Sequence, residues 1–176
     1  MSAQSELTAE ATPDEQPEHE VTLDDALKLA QGHHEAGNLV IADRTYRDIL
    51  RAVPDHYPTT LFLGVLQYQR GNVHEAEVFL KSALVSAPDD GQVLLNYGVV
   101  LAEKRAYEEA LSCFEQARKS IPDDVNVYIN YAYLLIKMQR FEDAEEQARL
   151  ALDKAPNNID ALTNLGIALA EQDKLQ

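Results

Sequence analysis

The stretch 91–124, GQVLLNYGVVLAEKRAYEEALSCFEQARKSIPDD, decides the fold, because its landmarks recur at a step of 34 residues on both sides. Pro122 belongs to a series with Pro54, Pro88 and Pro156. Ala110 stands 12 residues before its proline, and Ala42, Ala76 and Ala144 stand at the same distance before theirs. Gly98 has counterparts in Ala30, Gly64, Ala132 and Gly166. The tract divides into four units, 23–56, 57–90, 91–124 and 125–158, and a partial fifth, 159–176. A fixed period of this length predicts an all-α solenoid of antiparallel helix pairs, about four and a half repeats long, whose usual work is binding other proteins.

The recurring residues have physical reasons. Positions 4, 7, 8 and 11 of a unit, as in Leu94, Tyr97, Gly98 and Leu101, make one stripe of a first helix, A. Positions 20, 24 and 27, as in Ala110, Phe114 and Ala117, make the facing stripe of a second helix, B. Small residues at 8 and 20 let the two axes approach, and the larger ones at 7 and 24 fill the space beside them. Gly37 and Gly71 stand where helix A must reverse; Arg105 and Gln139 replace them in units three and four. A left-handed backbone at those two residues would cost about 1 kcal/mol each. Asp89-Asp90, Asp123-Asp124 and Asn157-Asn158 follow the closing prolines and suit the caps of the next helices. Thr22-Leu23-Asp24-Asp25 opens the first unit as a capping-box-like start. Nearly all helix and no strand is expected.

The pattern resembles the tetratricopeptide repeat (TPR) family. Leu63-Gly64, Ala76, Ala83 and Pro88 match its consensus in unit two, and Tyr97-Gly98, Ala110, Phe114, Ala117 and Pro122 match it in unit three. Unit one diverges most, with His33 at position 11. The resemblance implies a right-handed superhelix with helix A lining a concave groove and helix B outside. It also implies that the groove takes an extended peptide or a partner helix, and that the chain performs no chemistry.

In this family the groove is faced by positions 2, 5, 6, 9, 12 and 13 of helix A. Position 5 supplies Leu27, Leu61, Leu95, Ile129 and Thr163, and position 9 supplies Gln31, Val65, Val99, Tyr133 and Ile167. This apolar strip is either a contact surface or the packing between neighbouring A helices. Position 6 reads Lys28, Phe62, Asn96, Asn130, Asn164. Three asparagines at one-repeat intervals would form a ladder of donors and acceptors able to grip a peptide backbone without reading its sequence. The arrangement resembles the TPR arm of O-linked N-acetylglucosamine transferase; the other reading is family background without that role. The expected groove contacts are Asn96, Asn130, Asn164, Leu95, Val99, Ile129, Tyr133, Phe62 and Val65. The clamp with which some TPRs hold an acidic chaperone tail has no counterpart: Leu or Ile stands where its lysine would be.

Charge and composition narrow the partners. The formal net charge is −15, which weighs against nucleic acid, since phosphate binding needs clustered Lys and Arg. Residues 1–21 carry Glu6, Glu10, Asp14, Glu15, Glu18 and Glu20 with no Lys or Arg, and are expected to form a disordered acidic tail ahead of a solenoid at 22–176. No run of 18 apolar residues predicts membrane insertion. One cysteine, Cys113, excludes an internal disulfide and fits a cytoplasmic chain in which it is a small packing residue.

A search for catalysis returns little. His33-His34-Glu35 is the one histidine cluster, but adjacent residues on a helix point apart, and His33 falls on the core stripe. Glycine-rich phosphate loops, cysteine pairs and nucleophile motifs are missing, so neither enzyme activity nor a cofactor or metal is expected.

The last residues place Leu162, Leu165, Gly166 and Leu169 on a helix A stripe, with Leu175 at a helix B start. An apolar face without its helix B leads to three expectations. The chain is part of a longer protein, for example the substrate-docking arm of a protein-modifying transferase with its catalytic domain beyond Gln176. Otherwise the face is covered by a partner, or by self-association of a scaffold.

Overall fold

The computed structural model describes residues 22–174. Among them lie nine α-helices: α1 (Leu23–Glu35), α2 (Leu39–Ala52), α3 (Tyr57–Gln69), α4 (Val73–Ser86), α5 (Gly91–Glu103), α6 (Tyr107–Ser120), α7 (Val125–Lys137), α8 (Phe141–Lys154) and α9 (Ile159–Asp173). Odd-numbered helices are the A helices and even-numbered ones the B helices. Each packs chiefly on its neighbours in sequence, so the molecule is an all-α solenoid of helix pairs. The acidic segment 1–21 and the terminal residues Leu175 and Gln176 lie outside the described residues.

Local chemistry sets the helix ends. Thr22 Oγ1 accepts from the Asp25 amide at 3.2 Å, and Asp90, Asp124 and Asn158 cap α5, α7 and α9 in the same way. Among the A helices only α3 departs from this: His56 stands at its cap without a side-chain bond, and Pro58 occupies the first turn. The B helices α2, α4, α6 and α8 have no side-chain cap. Every A-to-B turn passes through a left-handed residue. Gly37 and Gly71 take φ of 77° and 79°, and Arg105 and Gln139 adopt the same region at 63° and 58°.

The core runs as a ribbon between A and B rows. Ala30, Ala42, Ala76, Ala110, Ala117, Ala132 and Ala144 are fully buried, as the close approach of the two stripes requires. Leu80 and Phe114 fill the space against the glycines of the facing A helices: a Cβ on Gly64 would fall 2.7 Å from Leu80 Cγ. Gly166 on α9 has open space at the corresponding point. A buried polar link joins the first two units, where Gln67 donates to Asp43 and accepts from Asn72 Nδ2 at 2.8 Å. No described helix is long and apolar enough to cross a membrane.

Candidate functional site

The A helices α1, α3, α5, α7 and α9 line up side by side, which brings the groove positions of all five units into one row. Position 5 turns inward in the three middle units, while Leu27 is half-buried and Thr163 exposed. Leu61, Leu95 and Ile129 are only 8%, 5% and 9% exposed, held in the packing between neighbouring helices. Position 9 is the open row: Val65 and Val99 are half-buried, and Tyr133 and Ile167 are 45% and 40% exposed. Of the two apolar strips, the one that a ligand can reach is therefore Val65, Val99, Tyr133 and Ile167, with Ile129 at the base of a cleft.

The three asparagines at position 6 fall into two states. Asn96 Nδ2 donates to the carbonyl of Gln92 at 2.7 Å and Asn130 Nδ2 to that of Asn126 at 2.8 Å, one turn back on their own helices. Asn164 is buried, and its Nδ2 donates across to the carbonyl of Ile129 on α7 at 3.0 Å. The cause is the seat of α9, which packs more closely on α7 than the other A helices do on one another. Asn96 and Asn130 keep their amides on their own helices, with Asn130 lining two clefts; Asn164 ties α9 to α7.

Three clefts open along this row. The first, about 400 Å³, lies between α1, α2 and α3 and takes in Gln31, His34, Glu35, Tyr46, Phe62, Val65 and Gln69. His34 is its hub. With Gln69 Oε1 as acceptor 2.8 Å from Nε2, that nitrogen carries the proton, and Nδ1 accepts from the Tyr46 hydroxyl at 3.3 Å. The Tyr46 and Phe62 rings stack with centroids 6.2 Å apart and planes 12° from parallel. Burial, with the Glu35 charge adding to it, pushes the Tyr46 hydroxyl up to about 12.

The second cleft is small, about 70 Å³, and lies among Tyr68, Val99, Ala102, Glu103, Phe114, Asn130 and Tyr133. Burial first, and then the charge of Glu103, raise the Tyr68 hydroxyl above its ordinary value. The third cleft, about 390 Å³, lies between α7 and α9 and takes in Ile129, Asn130, Tyr133, Asp160, Thr163, Asn164 and Ile167. Lys137 rests over the Tyr133 ring, its Nζ 4.9 Å from the centroid.

Of the groove residues expected from the sequence, Phe62, Val65, Val99, Tyr133, Asn96 and Asn130 are half-buried or exposed, whereas Leu95, Ile129 and Asn164 are buried in the A-helix packing. Sequence reasoning overlooked Tyr46, because that residue sits on a B helix, and His34, whose neighbour His33 holds the stripe position. A large ring at Tyr46 facing the small Ala30 was the available signal, since it shows that the end of the first unit is filled from helix B. Cys113 is buried and its thiol is pushed up to about 11, first by burial and then by Glu109, which leaves it an inert packing residue near neutrality.

Comparison with known proteins agrees with this architecture. Two tetratricopeptide repeat models match, one over residues 27–90 and the other over 101–163. No curated protein matches the chain in sequence. Among solved structures, residues 41 to the end of MamA from Desulfovibrio magneticus RS-1 superpose with a TM-score of 0.75 at 19% identity, over 86% of this chain and 85% of that one. PilF of Pseudomonas aeruginosa gives 0.77 at 23% identity, over 86% and 69%. YrrB, described as a TPR protein with an unusual peptide-binding site, gives 0.70 at 18% identity, over 89% and 80%. Identities this low speak for the fold, and the repeat models, the 34-residue register and the helix pairs agree: the chain belongs to the tetratricopeptide repeat family.

Proposed function

We propose that this chain is a protein-interaction module that binds an extended peptide or a helix of a partner in the groove lined by its A helices. The observation that carries the reading is the series of three clefts along that row, the second and third of which share Asn130 and Tyr133. Its floor is the half-open apolar series at position 9, and Asn130 lines the second and third clefts. An apolar floor with an amide at its edge suits a main chain that needs both burial and hydrogen-bond partners. Residues 22–176 form the solenoid in this reading, and a cytoplasmic setting suits its single buried thiol. The test is photo-crosslinking in living cells with a benzophenone amino acid at Val99 or Tyr133, compared with Ser112 or Glu146 on the B helices. Adducts from the groove sites are expected; adducts from the B-helix sites alone would overturn the reading.

A second reading, self-association through α9, rests on Gly166. Gly64 and Gly98 are covered by Leu80 and Phe114, whereas Gly166 is open and Leu162 and Leu169 beside it are 49% and 38% exposed. Sedimentation over a range of concentrations, with Leu162→Asp as the control, tests it: a monomer at every concentration would rule it out.

A further inference from the structure

The three clefts share a composition that the groove reading alone does not require. The first sets Glu35 beside Tyr46 and Phe62, the second sets Glu103 with Tyr68 and Tyr133, and the third sets Asp160 with Tyr133. No Lys or Arg lines any of them. The two groove lysines, Lys28 and Lys137, lie outside all three linings. Among the described residues, Glu35, Glu103 and Asp160 make no salt bridge, and all three side chains are exposed.

Lack of a partner is not peculiar to these acids. On the B helices Asp43, Asp48, Glu75, Glu77, Asp143 and Glu145 each meet a cation of the chain itself, whereas Glu108, Glu109, Glu115, Glu142, Glu146 and Asp153 meet none among the described residues. What sets Glu35, Glu103 and Asp160 apart is that each shares a cleft with an aromatic ring and with no Lys or Arg. A ring face carries negative charge and attracts cations, while its carbon surface covers the methylene stem of a long basic side chain. A neighbouring carboxylate and an amide oxygen then accept from an ammonium or a guanidinium. Lys137 already shows the attraction, resting over Tyr133 from within the chain.

We propose that the groove takes a basic extended peptide whose arginine or lysine side chains enter the clefts at Glu35, Glu103 and Asp160. This rests on the groove reading above. The Glu103 cleft, about 70 Å³, admits the end of one side chain, and the two outer clefts, about 400 Å³ and 390 Å³, admit a side chain together with its stem.

The test is selection of a phage-displayed library of random 12-residue peptides (the length is a design choice, about 40 Å when extended) on the full chain. Enriched peptides are then titrated against two variants of equal net charge. One is Glu35→Gln/Glu103→Gln/Asp160→Asn, and the other is Glu108→Gln/Glu142→Gln/Glu146→Gln on the exposed B-helix surface. Circular dichroism establishes that both variants fold. Peptides rich in Arg and Lys are expected, with affinity falling about tenfold on the groove variant and far less on the B-helix variant, the loss of charge-assisted bonds being local. Basic peptides that lose affinity equally on both variants would reduce the effect to bulk charge and overturn the proposal. Neutral or acidic peptides that lose binding when Val99→Arg blocks the groove would overturn it and leave the groove reading standing. Peptides indifferent to Val99→Arg, or no enrichment at all, would count against both.

Discussion

A Cβ on Gly98 would fall 2.8 Å from Cε1 of Phe114, closer than packed carbon atoms come. Position 8 and position 24 of the repeat are thus a matched pair, one absent side chain for one full ring. The match explains why the spacing from Gly98 to Phe114 recurs from Gly64 to Leu80.

Gly98→Ala should destabilise the solenoid by about 1–2 kcal/mol, since the ring is buried and overpacking forces it off its rotamer. Gly166→Ala should instead stabilise by roughly 0.5–1 kcal/mol, because its site is open and alanine is the better helix former. Urea unfolding of the two variants checks the sign difference, and Phe114→Leu should recover part of the Gly98→Ala loss.

Arg105 and Gln139 hold a left-handed backbone at φ of 63° and 58° where the first two units have glycine. Replacing either by glycine should stabilise by about 1 kcal/mol, and Gly37→Ala should cost a similar amount. Thermal denaturation of the three single variants settles it.

Asn164 should behave unlike its two repeat partners. Its buried amide holds the Ile129 carbonyl, so Asn164→Ala should cost about 1–2 kcal/mol of stability. Asn96→Ala and Asn130→Ala should stay within about 0.5 kcal/mol of the parent, as surface changes do, and should lower peptide affinity instead. Chemical denaturation alongside titration with a selected peptide separates the two effects.

Alkali should weaken the fold. The Cys113 thiol is raised from 9.0 to about 11, and the Tyr46 hydroxyl from 10.0 to about 12, in both cases chiefly by burial. A folded value above the unfolded one means that the unfolded chain ionises first, so this stability is complete below pH 9 and is lost as pH rises toward 11 and 12. Urea midpoints should hold up to about pH 8 and fall above it, and Cys113→Ala should flatten the first part of that fall.

The fold was legible because its determinants are short-range. Helix starts at Leu23, Tyr57, Gly91, Val125 and Ile159 repeat at the 34-residue step of the prolines, and the caps at Asp90, Asp124 and Asn158 are local hydrogen bonds. The site was less legible because it depends on how neighbouring units settle on each other. Periodicity places Leu95 and Val99 on the same face of α5, yet only packing against the adjacent A helices decides that Leu95 is covered and Val99 half open. For the same reason Asn164 could not be told from Asn130 by position alone: the closer seat of α9 on α7 turns one amide inward and leaves the other on its own helix. His34 and Tyr46 meet across two helices, 12 residues apart, a pairing that no single stripe records.

The most direct test of the A-helix groove as the binding site is an amide NMR titration of the full chain with a library-selected peptide. The groove account predicts the largest shifts along Val65, Val99, Tyr133 and Ile167 and in the side-chain amides of Asn96 and Asn130, with α4, α6 and α8 nearly silent. Shifts concentrated on the B helices, or only around Leu162, Gly166 and Leu169 on α9, would contradict it.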